Sequence, residues 1–127
     1  MNVLIDTNRY RDFCEGEERA VDVIQRARSI TVPFVVLAEL RAGFLCGTLG
    51  RQNEQTLTRF LNGERVRTLF PNEDTTHHFA RVFAQLRLQG TPIPINDIWI
   101  SALSIQHDLL LFSRDKHVDV LPQIARC

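Results

Sequence analysis

The sequence lacks most of the features that mark secreted, membrane-spanning or thiolate-zinc proteins. Its three cysteines, Cys14, Cys46 and Cys127, are odd in number and form no CxxC pair. That pattern predicts neither a disulfide framework nor a zinc site built from thiolates. No apolar run approaches the roughly 18 residues of a membrane helix, and no secretory leader opens the chain. We therefore expect no membrane association and a cytoplasmic location.

An excess of charge of either sign is also missing. The 127 residues include 15 basic and 15 acidic side chains, and the formal net charge is zero. This balance argues against a protein that is held on nucleic acid by bulk charge, although it permits a local basic surface. Lys116 is the only lysine, so nearly all cations are arginines, which suit bidentate phosphate contacts. The codon usage of a GC-rich genome explains the arginines equally well.

Short apolar segments alternate with amphipathic ones along the chain. The predicted strands are Asn2–Ile5, Ser29–Val32, Val66–Phe70, Leu109–Phe112 and a last short Leu121–Ile124. The predicted helices are residues 12–28 with a break near Gly16, 33–44, 52–61, 74–89 with Asp74 as its cap, and 97–107 with Asn96 as its cap. This order predicts one α/β domain over residues 1–127, with helices around a mostly parallel sheet.

Two acidic residues directly follow predicted buried strands. Asp6 ends the opening segment MNVLID, and Asp115 ends LLLFSRD. In a parallel sheet, sites collect beyond the carboxyl ends of the strands, so we expect these two carboxylates at one edge. The alternative for Asp6 is an ordinary cap of the next helix.

Two further acids lie on predicted helices. Glu39 shares its helix face with small and aliphatic residues such as Val35 and Val36, where a charge is poorly solvated. The alternative for Glu39 is a buried ion pair with an arginine. Asp97 falls in the first turn of its helix, where the helix dipole favours an anion, and the following apolar Ile98 predicts a rigidly packed helix start.

Four carboxylates that converge repel one another and cannot all stay ionised without a counter-ion. A hard divalent cation removes that repulsion, and an oxygen ligand set favours Mg²⁺ or Mn²⁺ over zinc. Such an ion binds phosphate oxygens and activates water. The acids therefore predict a metal site that acts on phosphate esters.

Four segments in order, LIDTN, VPFVVLAELRAGF, GTPIPINDIWISALS and LLLFSRDKH, resemble the PIN-domain ribonucleases, most closely the VapC-type toxins of bacterial toxin–antitoxin pairs. The resemblance implies a three-layer sandwich with a central, mostly parallel sheet flanked by helices. It also implies a Mg²⁺- or Mn²⁺-dependent endoribonuclease that hydrolyses RNA phosphodiester bonds and forms a homodimer. A small antitoxin protein that blocks the acidic pocket is the implied partner.

The resemblance also carries residue roles. It implies catalytic acids at Asp6, Glu39, Asp97 and Asp115, with Asp6, Asp97 and Asp115 as metal ligands and Glu39 as a ligand or water-orienting base. Asn8 and Ser113 match supporting polar positions. Val118 departs from the family pattern, which often has an aromatic residue there. Arg41 and Arg114 neighbour the acids and are candidates for RNA binding, with surface charge or dimer contact as the alternative for each.

Other functions fit the residues less well. A haloacid-dehalogenase-like phosphatase needs a second acid two positions after the first, where Asn8 stands. A receiver domain needs a phosphorylatable aspartate after the third strand, where the chain has Phe70, Pro71 and Asn72. A non-catalytic PIN-like module that binds RNA or protein remains as the alternative. Asp12, Asp108 and Asp119 are interpreted as turn or surface residues, and His77 and His78 as helix surface.

Overall fold

The structure, a computed structural model, describes all residues 1–127. Its strands are β1 (Asn2–Ile5), β2 (Ser29–Pro33), β3 (Val66–Leu69) and β4 (Leu110–Phe112). Its helices are α1 (Thr7–Cys14), α2 (Glu18–Arg26), α3 (Phe34–Cys46), α4 (Gly50–Leu61), α5 (Glu73–Gln89) and α6 (Ile95–Gln106), and a 3-10 turn covers His117–Val120. The predicted α/β class is confirmed. None of these helices is both long enough and apolar enough to cross a membrane.

The four strands form one sheet in the order β3-β2-β1-β4, and every pair is parallel. Val3 of β1 lies opposite Ile30 on one side and Leu110 on the other. The chain builds outwards from β1 to β3 and then returns to place β4 on the far side of β1. Open sheets bind ligands in the crevice at such a reversal, beyond the carboxyl ends of the strands. The topology therefore directs attention to the ends of β1 and β4.

Strand β1 is the most deeply buried element of the sheet. Val3, Leu4 and Ile5 have no exposed surface, because β1 has a neighbour on each side and helices over the sheet. By contrast, β3 is an edge strand whose two middle residues are exposed. Burial of apolar strand residues contributes about 25 cal/mol per Å² removed from water, so β1 is firmly held. Residues that directly follow β1 consequently have a rigid starting point.

Several predicted element boundaries shift for local reasons. The predicted helix 12–28 is two helices, α1 and α2, and Gly16 between them has a left-handed φ of 78° that glycine adopts without strain. Helix α1 begins earlier than predicted, at Thr7, because the Asp6 side chain accepts a hydrogen bond from the backbone N–H of Arg9. Asp6 thus does cap α1, but the cap uses only Oδ1, so it does not exclude a site role for the other carboxylate oxygen.

Three predictions near chain turns are wrong. Asn72, and not Asp74, caps α5 in a capping box with Thr75. Asn96 lies inside α6, which follows Pro94 without a side-chain cap. The predicted strand Leu121–Ile124 is absent, and a single parallel bridge between Leu111 and Arg126 takes its place.

Candidate functional site

The carboxyl ends of β1 and β4 are joined by a side-chain hydrogen bond. Ser113 follows β4, and its hydroxyl donates to Oδ2 of Asp6, which follows β1 and lies 107 residues away in the sequence. The Ser113 hydroxyl oxygen in turn accepts the backbone N–H of Asp115 at 3.0 Å. Ser113 therefore connects Asp6 to the loop that carries Asp115.

Asp97, Asp115 and His117 form a tight cluster beside this connection. The Nδ1 atom of His117 lies 2.8 Å from Oδ2 of Asp97 and 3.1 Å from Oδ1 of Asp115. The backbone N–H of His117 also donates to Oδ1 of Asp115 at 2.9 Å. Each of the three residues offers one potential ligand atom, and these atoms all lie within 4.8 Å of one another. The start of α6 and the 3-10 turn thus meet at one point.

Glu39 approaches the same pocket from α3. Its Oε1 accepts a hydrogen bond from the Thr7 hydroxyl at 2.8 Å, and its side chain is partly buried. No arginine or lysine contacts Glu39, so the alternative of a buried ion pair is wrong. The first residue of α1 therefore orients a carboxylate on α3.

The carboxyl groups influence one another electrostatically. Burial raises the pKa of Asp6, and the nearby Asp115 raises it further. Burial also raises the pKa of Asp97, with additional contributions from Asp115 and Glu39. Asp115 thus acts on both Asp6 and Asp97, and Glu39 acts on Asp97, so the four predicted acids lie close enough to repel one another. The only cationic side chain in direct ion-pair contact with any of them is His117, whose pKa is raised chiefly by its hydrogen bond to Asp97.

The donor set of this pocket fits a divalent cation. Carboxylate oxygens suit Mg²⁺ and Mn²⁺, and an imidazole nitrogen is also a common metal ligand. The four acids have no arginine or lysine partner, although the chain holds 15 basic residues. Uncompensated, mutually repelling carboxylates around a pocket are the arrangement that a bound cation stabilises.

The remaining predicted site residues have mixed surroundings. Asn8 lies in the first turn of α1, partly buried, and its side chain makes no hydrogen bond within the chain. Arg114 binds Asp12 through Nε at 2.9 Å and Nη2 at 3.2 Å, and Arg41 binds Glu54 at 2.9 Å. Both arginines nevertheless remain about half exposed.

Two aspartates that the sequence analysis treated as bystanders have defined partners. Asp12 is buried, not a surface residue as predicted, and Arg114 lowers its pKa through their hydrogen bonds, with a smaller contribution from Arg9. Asp119 is exposed and pairs with Arg126.

Two residues of the site were not predicted from the sequence. His117 stands two positions after Asp115, a spacing that could have identified it as a companion of that acid. Arg126 donates from Nη2 to the backbone carbonyls of Ser113 at 2.9 Å and Asp115 at 2.8 Å. Nothing in its neighbouring sequence indicates this role, because the contact depends on how residues 122–127 return to β4.

A parallel sheet with acids gathered beyond two neighbouring strands defines an α/β protein with a candidate metal site at the crevice where ligands bind in such sheets. More specifically, the chain belongs to the PIN domain family, whose model matches residues 3–124. Ribonuclease VapC1 of Haemophilus influenzae is 31% identical to it over 106 residues, covering 76% of this chain and 75% of that protein. The resemblance drawn from the sequence motifs is therefore confirmed.

Solved structures agree with this assignment. VapBC-1 from nontypeable Haemophilus influenzae matches with a TM-score of 0.84 at 25% identity, covering 100% of this chain and 97% of that chain. VapBC2 from Rickettsia felis, bound to a DNA fragment from their promoter, matches with a TM-score of 0.86 at 20% identity, covering 100% of this chain and 98% of that chain. The similarity thus extends over the whole fold.

Proposed function

We propose that this chain is a metal-dependent endoribonuclease that acts as the toxin of a toxin–antitoxin system. The observation that carries the proposal is the pocket in which Asp6, Glu39, Asp97 and Asp115 converge without an arginine or lysine partner. Family membership and the relatives named Ribonuclease VapC support the same conclusion. In this proposal residues 1–127 form a single functional domain.

Asp6, Asp97 and Asp115 would hold Mg²⁺ or Mn²⁺ in this pocket. The bound ion supplies a positive charge that polarises the scissile phosphate and activates water. Glu39 has one oxygen occupied by the Thr7 hydroxyl, so its other oxygen is free to accept a proton from the attacking water. Ser113 keeps Asp6 and the Asp115 loop at a fixed separation. Hydrolysis then leaves 5′-phosphate and 3′-hydroxyl ends.

Arg114 and Arg41 are proposed to hold the RNA backbone. Their ion pairs occupy Nε and Nη2 in each case, so Nη1 of each guanidinium remains available to a phosphate oxygen. Arginine has enough donors to bind a carboxylate and a phosphate at once. Asn8, with an unpaired amide, is proposed to support the attacking water.

We also propose a small antitoxin as the protein partner, since the matching solved structures are VapBC assemblies. A groove of about 350 Å³ lies between α1, α3 and α4, one helical turn beyond Thr7 and Glu39, and its mixed lining includes Tyr10, Phe44 and Arg11. We propose it as the path of an antitoxin segment. A homodimer and a cytoplasmic location complete the proposal.

The test is metal-dependent cleavage of RNA by the purified chain. We expect cleavage of a mixed cellular RNA sample with Mg²⁺ or Mn²⁺, none with EDTA, and at least about a 100-fold loss in Asp115→Asn. A melting-temperature rise with Mn²⁺ that is absent in Asp115→Asn would show binding at this site. A metal-stabilised chain that cleaves no RNA would overturn the nuclease and favour the non-catalytic binding module.

A further inference from the structure

We propose that His117 supplies a nitrogen ligand to the metal and makes this centre prefer Mn²⁺ over Mg²⁺. The proposal rests on the metal site of the proposed function and extends it by one ligand. His117 ends the segment LLLFSRDKH, but neither the residue roles implied by the motifs nor the four-acid description of the pocket makes it a ligand.

The first support is the geometry of the three ligand atoms. Nδ1 of His117 lies 2.8 Å from an oxygen of Asp97 and 3.1 Å from an oxygen of Asp115. Adjacent ligands of an octahedral ion with bonds of about 2.1 Å are separated by about 3 Å. The distances from Nδ1 to the two carboxylate oxygens are therefore close to the distance between neighbouring ligands of such an ion.

The second support is the way in which the backbone aims the imidazole. His117 opens the 3-10 turn, its backbone N–H is bound to Asp115, and the next residue, Val118, is 3% exposed and anchors the turn in the core. The side chain itself is 51% exposed. In the metal-free chain Nδ1 carries a proton and donates it to the carboxylate of Asp97. Nε2 has no partner within the chain, so the ring can keep its proton there when a cation takes the place of the Nδ1 proton, and the Nδ1 lone pair then faces the pocket.

The choice of ion follows from the nature of the donors. Mg²⁺ takes oxygen ligands almost exclusively and keeps several waters, whereas Mn²⁺ accepts imidazole more readily. A purely carboxylate pocket discriminates little between the two ions. One imidazole nitrogen within the ligand set shifts the preference towards Mn²⁺.

The experiment compares the wild-type chain with His117→Asn, which retains a polar atom near the position of Nδ1 but no imidazole. His77→Gln is the control, since His77 is exposed on α5 and outside the pocket. Electron spin-echo spectroscopy of the Mn²⁺-loaded chains detects directly bound ¹⁴N. Calorimetric titration gives the Mn²⁺ and Mg²⁺ affinities, and circular dichroism verifies folding.

We expect a ¹⁴N coupling in the wild type and in His77→Gln, and none in His117→Asn. We also expect His117→Asn to weaken Mn²⁺ binding about tenfold while Mg²⁺ binding changes by less than about threefold. Bound Mn²⁺ without ¹⁴N coupling, or an equal loss for both ions, overturns the proposal.

The outcome is separable from that of the proposed function. RNA cleavage with bound Mn²⁺ that lacks ¹⁴N coupling removes the His117 ligand and leaves the nuclease. A ¹⁴N coupling in a chain that cuts no RNA supports the ligand and removes the nuclease. Failure to bind Mn²⁺ at all overturns both.

Discussion

Asp6 and Asp12 stand near the two ends of α1, and they are almost equally buried, at 8% and 9% exposure. Asp12 lies among cations, with Arg114 at 2.9 Å and Arg9 at 3.4 Å, and its pKa is lowered. Asp6 has hydrogen bonds from a serine and a backbone amide but no ion pair, and its pKa is raised. The chain thus neutralises one buried carboxylate internally and leaves the other without an ion pair, as the proposed metal site requires.

This difference distinguishes a structural carboxylate from a functional one. A buried acid that serves stability gains a fixed partner, because an uncompensated charge destabilises the folded state. A buried acid that is left without one, next to three others, stores repulsion that ligand binding relieves. The same substitution at the two positions should therefore have opposite consequences.

The largest expected effect is on catalysis by Asp6→Asn. The amide preserves the helix cap but removes a negative charge from the pocket, so we expect RNA cleavage to fall at least about 100-fold. Without metal, the variant should be more stable than the wild type by on the order of 1 kcal/mol, chiefly because a neutral amide costs less to bury than a carboxylate and also because repulsion from Asp115 is relieved. Wild-type cleavage by this variant would contradict the assignment.

The counterpart, Asp12→Asn, should damage stability and spare the chemistry. Loss of the pair with Arg114 is expected to lower the free energy of unfolding, although by less than the loss of a fully buried pair, because Arg114 is about half exposed. Urea titration measures the loss, and cleavage per folded molecule should remain within about threefold of the wild type. A collapse of activity in fully folded protein would show that Asp12 belongs to the pocket or that its pair with Arg114 is needed to bind RNA.

A smaller effect is expected from Arg126→Gln, which removes the two hydrogen bonds to the carbonyls of Ser113 and Asp115. The loosened loop should weaken Mn²⁺ binding about tenfold and destabilise the fold by about 1 kcal/mol. Asp119→Asn is the matched control, because it removes the ion pair of Arg126 and leaves its bonds to the loop. Unchanged Mn²⁺ affinity in Arg126→Gln would show that the loop of Ser113 and Asp115 keeps its conformation without the hydrogen bonds from Arg126.

The smallest expected effect is the pH dependence of the metal-free protein. The raised pKa values of Asp6 and Asp97 mean that the folded state retains protons above 3.8 that the unfolded chain has released. The free energy of unfolding should therefore fall as the pH rises above 3.8 through those raised values. The lowered pKa of Asp12 acts in the opposite direction, since its stabilisation is present above 3.8 and is lost as the pH falls through that lowered value.

Urea unfolding in EDTA from about pH 3 to about pH 7 measures both trends. We expect Asp6→Asn to reduce the fall in the free energy of unfolding that occurs as the pH rises above 3.8. We expect Asp12→Asn to reduce the fall in the free energy of unfolding that occurs as the pH drops below 3.8. If the free energy of unfolding varied with pH in the same way in both variants, the proposed difference between Asp6 and Asp12 would be refuted.

The site could be predicted from the sequence where an acid follows an apolar strand pattern and where the general rule for parallel sheets says that such strands end at one edge. Asp6 and Asp115 follow apolar strands, and parallel strands end at the same edge, so their convergence needs no knowledge of distant contacts. Glu39 stands out because its helix face is otherwise apolar. The same reasoning explains why the strand order was not needed to predict that these acids meet.

Features that depend on long-range pairing were not predictable. The partner of Asp12 lies 102 residues away, and a polar residue in a helix gives no sign of such a contact. The role of His117 depends on a 3-10 turn that turns its ring inward, and that of Arg126 on a single bridge to β4. Asn96 was predicted as a cap from residue type alone, whereas Pro94 sets the start of α6.

The position of β4 in the sheet also has a consequence for the timing of synthesis. β1 is the first strand to leave the ribosome, but its neighbour β4 and the residues that complete the pocket come more than 100 residues later. A growing chain therefore has no finished catalytic centre until Asp115 has emerged and folded onto β1. For the proposed ribonuclease, a nascent chain cannot cleave RNA while the segment that carries Asp115 is still inside the ribosome.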